Sequence, residues 1–168
     1  EAHGAEYVRP AVQVAMVMPD DRAVTVHTDR SRTEASLGRL SERDARAWAA
    51  MDDDYHEFME ALVVPALYGA PPKPSEPLMA LEGSPQGMRY LRMSRSSPAD
   101  VVTETFETDA ARAAVLFQLA VPRGVVTDYD GLGMLVPLVV SQVETSHLAK
   151  GGSHALAHAL WRALLREG

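Results

Sequence analysis

Cysteine is absent from this chain of 168 residues. That excludes disulfides, thiolate nucleophiles and cysteine-ligated metals, and it suits a cytoplasmic protein. A basic surplus is missing too: 16 Lys and Arg face 23 Asp and Glu, for a formal net charge of -7. The two signs alternate instead of forming blocks, and a phosphate-binding surface needs a basic patch, so nucleic acid is not an expected partner. Long apolar runs are lacking. The longest, Gly131 to Val140, has about half of the roughly 20 residues that a membrane-spanning helix requires. The start of the chain has no basic segment leading into an apolar stretch, so no secretory signal is read there. No Gly-x-Ser-x-Gly elbow and no P-loop occur, which leaves nucleophilic hydrolysis and phosphate cradling unsupported. What remains is enough chain for about one soluble domain.

The patterning starts with a hairpin. Residues 11–18 alternate, with Val12, Val14, Met16 and Met18 on one face. Pro19-Asp20-Asp21-Arg22 supplies a turn, and residues 23–28 alternate again with Val24 and Val26 inward. Strand signals then give way to helical ones. A short helix is expected over 29–40. A long one follows over 42–64, opened by the near capping box Ser41-Glu42-Arg43-Asp44 and ended or kinked by Pro65. Trp48, Met51, Tyr55, Phe58, Met59 and Leu62 make its apolar stripe; Arg46, Asp53, Glu57 and Glu60 should face water. The proline-rich stretch 69–77 reads as a loop. Helices are predicted over 85–93, over 98–106 behind a Ser97 cap, and over 109–119 behind Thr108 or Asp109. Residues 121–129 read as irregular or a short strand, 131–143 as a buried helix and 153–166 as the closing helix. The expected class is α+β: a hairpin contributing to an antiparallel or mixed sheet (1–29), a helical layer over it (30–120), and a buried helix with a Gly-Gly-led closing helix (121–168).

Several constellations hint at chemistry. His154 and His158 stand four apart on one helical face, the geometry of a two-histidine metal site. Ala155 occupies the place where the zinc-protease pattern needs Glu, and Trp161 and Leu165 share the stripe, so packing or a polar edge is the expected role. Asp52-Asp53-Asp54 with His56 and Glu57 has no second Glu-x-x-His copy, and consecutive helical residues point about 100° apart. The run reads as a solvated face, and no metal site is expected. Gly131-Leu132-Gly133 resembles a dinucleotide turn only loosely, lacking a preceding strand and a following acidic residue. Lys150-Gly151-Gly152-Ser153 admits two readings: a tight turn with Ser153 as helix cap, or a backbone held open for a ligand near a helix start.

Three segments carry a family resemblance. They are Glu6-Tyr7-Val8-Arg9-Pro10 before a hairpin with an acidic turn, Leu40-Ser41-Glu42-Arg43-Asp44-Ala45, and Lys150-Gly151-Gly152-Ser153-His154-Ala155-Leu156-Ala157-His158-Ala159-Leu160. In order and spacing they resemble the phytoene-desaturase-like branch of the FAD-dependent amine oxidase superfamily. The resemblance implies the middle, substrate-binding segment of a two-domain flavoprotein, with hydride transfer from a carbon of an apolar substrate to FAD. The glycine-rich βαβ unit that binds FAD has no counterpart here, and the opening Glu1-Ala2-His3-Gly4 lacks an initiator Met. FAD-binding polypeptide is therefore expected from another chain or segment. On this resemblance Gly151, Gly152 and Ser153 lie nearest the flavin, and Trp48, Tyr55, Phe58, Met59 and Met134 are candidates to contact substrate. No catalytic base is assigned. A non-catalytic helical interaction module is the alternative, and peripheral membrane contact through Gly131 to Val140 is a third, weaker option.

Overall fold

The structure, a computed structural model, describes residues 3–69, 73, 75–142 and 146–167. Its elements in chain order are β1 (Tyr7–Val8), β2 (Val12–Val17), β3 (Ala23–His27), α1 (Arg30–Gly38), α2 (Glu42–Phe58), a π-helical turn (Met59–Val63) and α3 (Val64–Tyr68). There follow α4 (Glu76–Glu82), α5 (Pro85–Met93), α6 (Pro98–Thr105), α7 (Asp109–Arg123), α8 (Leu135–Ser141), β4 (Leu148–Ala149) and α9 (Ser153–Glu167). The class is α+β, with two small antiparallel sheets: β2 with β3, and β1 with β4.

The hairpin forms as its alternation dictates. Val14 pairs with Val26 and Met16 with Val24, and the turn closes with the Met18 amide donating to the Arg22 carbonyl. Val24 and Val26 are fully buried, each contributing on the order of 1.5–3 kcal/mol over an exposed position. Against them pack Leu37 of α1, Trp48 of α2, Phe106, then Val115 and Leu119 of α7, and Val136, Val139 and Val140 of α8. The run Gly131 to Val140 thus turns its valines into the core, and they offer no face to a lipid surface. Among the described residues no helix is long and apolar enough to cross a membrane.

Helix starts follow local chemistry. Asp29, Ser41, Ser84, Ser97 and Thr108 each cap their helix by accepting an amide hydrogen bond from its first turn. Other expectations change. Pro65 does not end the long helix. Its missing N–H and the crowding of its ring are absorbed by the π-helical turn, where the Val64 amide reaches back five residues to the Met59 carbonyl, and α3 then continues to Tyr68. Helix α4 begins inside the stretch read as a loop, of which residues 70–72 and 74 lie outside the described residues. Helix α7 runs past Leu119 to Arg123, with Gly124 in the left-handed conformation as its cap. Helix α8 is confined to Leu135–Ser141; Val143, the expected end of the buried helix, lies outside the described residues.

Two buried carboxylates join distant elements. Asp44 is fully buried and accepts from the Glu107 amide at 2.7 Å, the Thr108 amide at 3.0 Å and the Thr108 hydroxyl. It ties the start of α2 to the junction of α6 and α7. Asp52, only 3% exposed, accepts from the Ser141 hydroxyl at 2.6 Å and lies 3.2 Å from Arg30. Within the acidic run only Asp52 is buried; Asp53, His56 and Glu57 keep the solvated face that the sequence predicts. Asp52 serves α8 and α1, Asp53 binds Arg30 at 2.5 and 2.9 Å, and Asp54 binds Arg89 of α5 at 2.7 Å. Successive residues on a helix point in different directions, so each carboxylate reaches a different partner. Among the described residues no cluster of three or more possible metal-ligating side chains exists.

Candidate functional site

The Gly-Gly turn sits where the two ends of the described chain meet. Antiparallel β1 and β4 pair Tyr7 with Ala149 and Val8 with Leu148. The Lys150 amide donates to the Glu6 carbonyl, and its ammonium reaches the Glu6 carboxylate at 2.7 Å. That hydrogen bond holds the Glu6 carboxyl below its ordinary value of 4.5 and raises Lys150. Gly151 and Gly152 then adopt φ of 84° and 82°, a region that side chains with a Cβ rarely enter. A Cβ on Gly152 would meet no atom within 4 Å. The glycine is there for its backbone angle, and the space outside the turn is open.

Helix α9 leaves this turn with one narrow side covered. Ala159 is buried and Ala155 and Ala163 are half-buried, whereas Leu160, Trp161, Leu164 and Leu165 are all at least 60% exposed. Arg162 anchors the helix to the first described residues, donating to the His3 carbonyl at 3.0 Å. His154 and His158 place their rings 4.3 Å apart on the exposed side. The packing expected for the Trp161 and Leu165 stripe is absent, because the small alanine edge faces inward instead. Tyr7, Val8 and Leu148 of the strand pair are also exposed. Apolar side chains on α9, β1 and β4 thus stand exposed on either side of the turn.

The residues expected to meet substrate divide between two places. Trp48 is 3% exposed and packs against Phe106 with ring centroids 6.5 Å apart, within the main core. Tyr55 and Phe58 join Tyr90 of α5 in an aromatic group: Phe58 lies 4.2 Å from Tyr90 and 6.4 Å from Tyr55. Met59 is half-buried at the π-helical turn, and Met134, also half-buried, immediately precedes α8. Beside the aromatic group a cavity of about 220 Å³ opens between α2, α5, α6 and α8, walled by Met51, Tyr90, Met93 and Pro137, with Asp54 and Arg89 among its lining residues. None of the five candidates lines it, though Phe58 packs on its wall residue Tyr90. Burial, followed by the charge of Asp54, pushes the Tyr90 hydroxyl far above its ordinary value of 10.0, and burial raises Tyr55 as well. Sequence reasoning missed Tyr90 because a lone tyrosine in a short helix gives no signal until the α2 aromatics are seen to pack on it.

Gly131 and Gly133 have a structural purpose. Both amides donate to the Ser96 carbonyl, at 3.1 and 2.9 Å. A Cβ on Gly133 would lie 2.4 Å from the Met93 carbonyl oxygen. Gly133 is needed because the end of α5, the following linker and Val101 press on it, whereas Gly131 is needed for its φ of 89°.

No family model matches this chain, and no solved structure matches it. Among curated proteins it is similar to one of the subunits of limonene dehydrogenase from Castellaniella defragrans (strain DSM 12143 / CCUG 39792 / 65Phen), at 28% identity over 169 aligned residues. The alignment takes in the whole of this chain and 31% of that protein, so the chain spans about a third of the length of the relative it matches.

Proposed function

We propose that this chain is the substrate-domain portion of a flavin-dependent dehydrogenase, completed by FAD-binding polypeptide from another chain or segment. The similarity along its full length to a polypeptide of a dehydrogenase carries the reading. The three segments resembling flavin-dependent desaturases agree with it, as does the open apolar surface of α9, β1 and β4, which suits a companion polypeptide. A compact apolar substrate accords with the name of the relative and with the methionine and aromatic walls beside α2.

Fit to FAD is partial in a specific way. The turn at Gly151 and Gly152 offers bare backbone and open space, and Ser153 follows at the start of α9; together these can supply one edge of a flavin site, with the remainder built by the companion. The chemistry that bound FAD supplies is acceptance of a hydride from a substrate carbon. This chain's share is to hold the substrate, exclude water and fix the Gly-Gly edge through the Glu6–Lys150 and Arg162–His3 ties. No proton transfer is assigned to its side chains.

The test is co-purification of this chain with the FAD-binding polypeptide encoded in the same or a neighbouring gene. The expected complex is yellow, with absorbance at about 450 nm that bleaches on adding an oxidisable substrate, and Trp161 emission shifts to the blue on assembly. A stable but colourless complex would overturn the flavin reading in favour of an interaction module.

A further inference from the structure

We propose that the cavity between α2, α5, α6 and α8 binds one compact, mostly apolar molecule bearing a single hydrogen-bond acceptor, such as an alicyclic or aromatic ketone. Small side chains create the space. Ala47 and Ala50 lie three apart on α2 and leave a gap that Met51, Met93 and Pro137 border with apolar, adaptable surface. The polar groups on the wall are nearly all engaged. Asp54 and Arg89 satisfy one another at 2.7 Å, and the Thr105 hydroxyl donates to the Val101 carbonyl at 2.7 Å. Tyr90 is the exception. Its ring is fixed against Phe58, it is 4% exposed, and its hydroxyl, which makes none of the hydrogen bonds found among the described residues, is not sealed from solvent. That hydroxyl stays protonated and is an accessible donor that water or a ligand oxygen can satisfy. A carbonyl or ether oxygen in the cavity would complete it, while charged ligands would meet only an ion pair already closed.

Size narrows the class. The pocket is open on its Ala50 side, so its volume of about 220 Å³ sets an upper bound; against a closed cavity of about 150 Å³ that holds benzene, that bound is about nine non-hydrogen atoms. Its lining residues all lie in this chain, so binding there is tested without flavin or a companion, and its failure would leave the flavin test of the proposed function unaffected.

The experiment is ligand titration of this chain, followed by NMR, with acetophenone and isopropylbenzene, which have equal numbers of non-hydrogen atoms. Both should bind saturably, acetophenone about fivefold more tightly, the worth of one neutral hydrogen bond at about 1 kcal/mol. Tyr90→Phe should erase that preference and leave isopropylbenzene unchanged. Ala50→Phe, introduced at an exposed position on the cavity wall, should abolish both, with Ala47→Leu tested in parallel and circular dichroism checking the fold. The inference is overturned if neither probe saturates, if the preference survives Tyr90→Phe, or if a folded variant of either alanine binds as the parent does.

Discussion

Replacing Asp44 tests how a single side chain joins the first half of the molecule to the second. Its carboxylate is fully buried and takes two amide hydrogens, from Glu107 and Thr108, together with the Thr108 hydroxyl. Hydrogen bonds to a charged acceptor contribute about 1.5–3 kcal/mol each, though they do not add independently, and the orphaned donors carry their own desolvation cost. Asp44→Ala should therefore cost about 3–4 kcal/mol. Asp44→Asn retains one acceptor oxygen but turns an amide against a donor, and should cost about 2 kcal/mol. A domain of this length has on the order of 10 kcal/mol in hand, so both variants fold. Urea unfolding followed by circular dichroism supplies the measurement: the midpoint should fall with an unchanged slope, because the compactness of the two states is not altered. Hydrogen exchange adds a local readout, with the Glu107 and Thr108 amides losing protection first. If both variants unfold within about 1 kcal/mol of the parent, the reasoning fails.

Gly133→Ala should lower the thermal midpoint by about 4–8 °C, since its Cβ would sit 2.4 Å from the Met93 carbonyl oxygen and 2.8 Å from Val101, an overpacking cost of about 2 kcal/mol. Differential scanning calorimetry decides, and an unchanged midpoint refutes the clash. The Glu6–Lys150 pair predicts a pH dependence confined to the β1–β4 ribbon. Glu6 titrates below 4.5 in the folded state, so the pair is fully present above that value and is lost as pH falls through the lowered pKa. Protection of the Lys150 amide, bonded to the Glu6 carbonyl, should fall relative to intrinsic exchange over that acid range, and Glu6→Gln should remove this pH dependence.

Much of the fold was legible because its causes are local. The hairpin needs only alternation and a turn, and the Ser41, Ser97 and Thr108 caps need only a hydroxyl before a helix. Asp52 was misjudged for the opposite reason. Its partners, Arg30 and Ser141, lie 22 and 89 residues away, and nothing in an acidic run says which member will turn inward. Pro65 followed its own rule in breaking the α-helical ladder, but a π-helical turn repaired the path. At the candidate site, the Gly-Gly turn was visible as a pair of glycines before a helix. That α9 would bury its alanines and present its leucines could not be read from amphipathicity, which gives an apolar face without saying what covers it. Trp48 and Phe58 looked equivalent on one stripe, yet a single helix touches different neighbours along its length.

The pairing of β1 with β4 gives the molecule the topology of a drawstring bag. Everything from the hairpin to α8 is one excursion whose entrance and exit lie side by side, closed by two residue pairs and the Glu6–Lys150 clasp. Such a module can be carried as an outgrowth on a host framework, with each free to diverge in shape while the neck stays the same width.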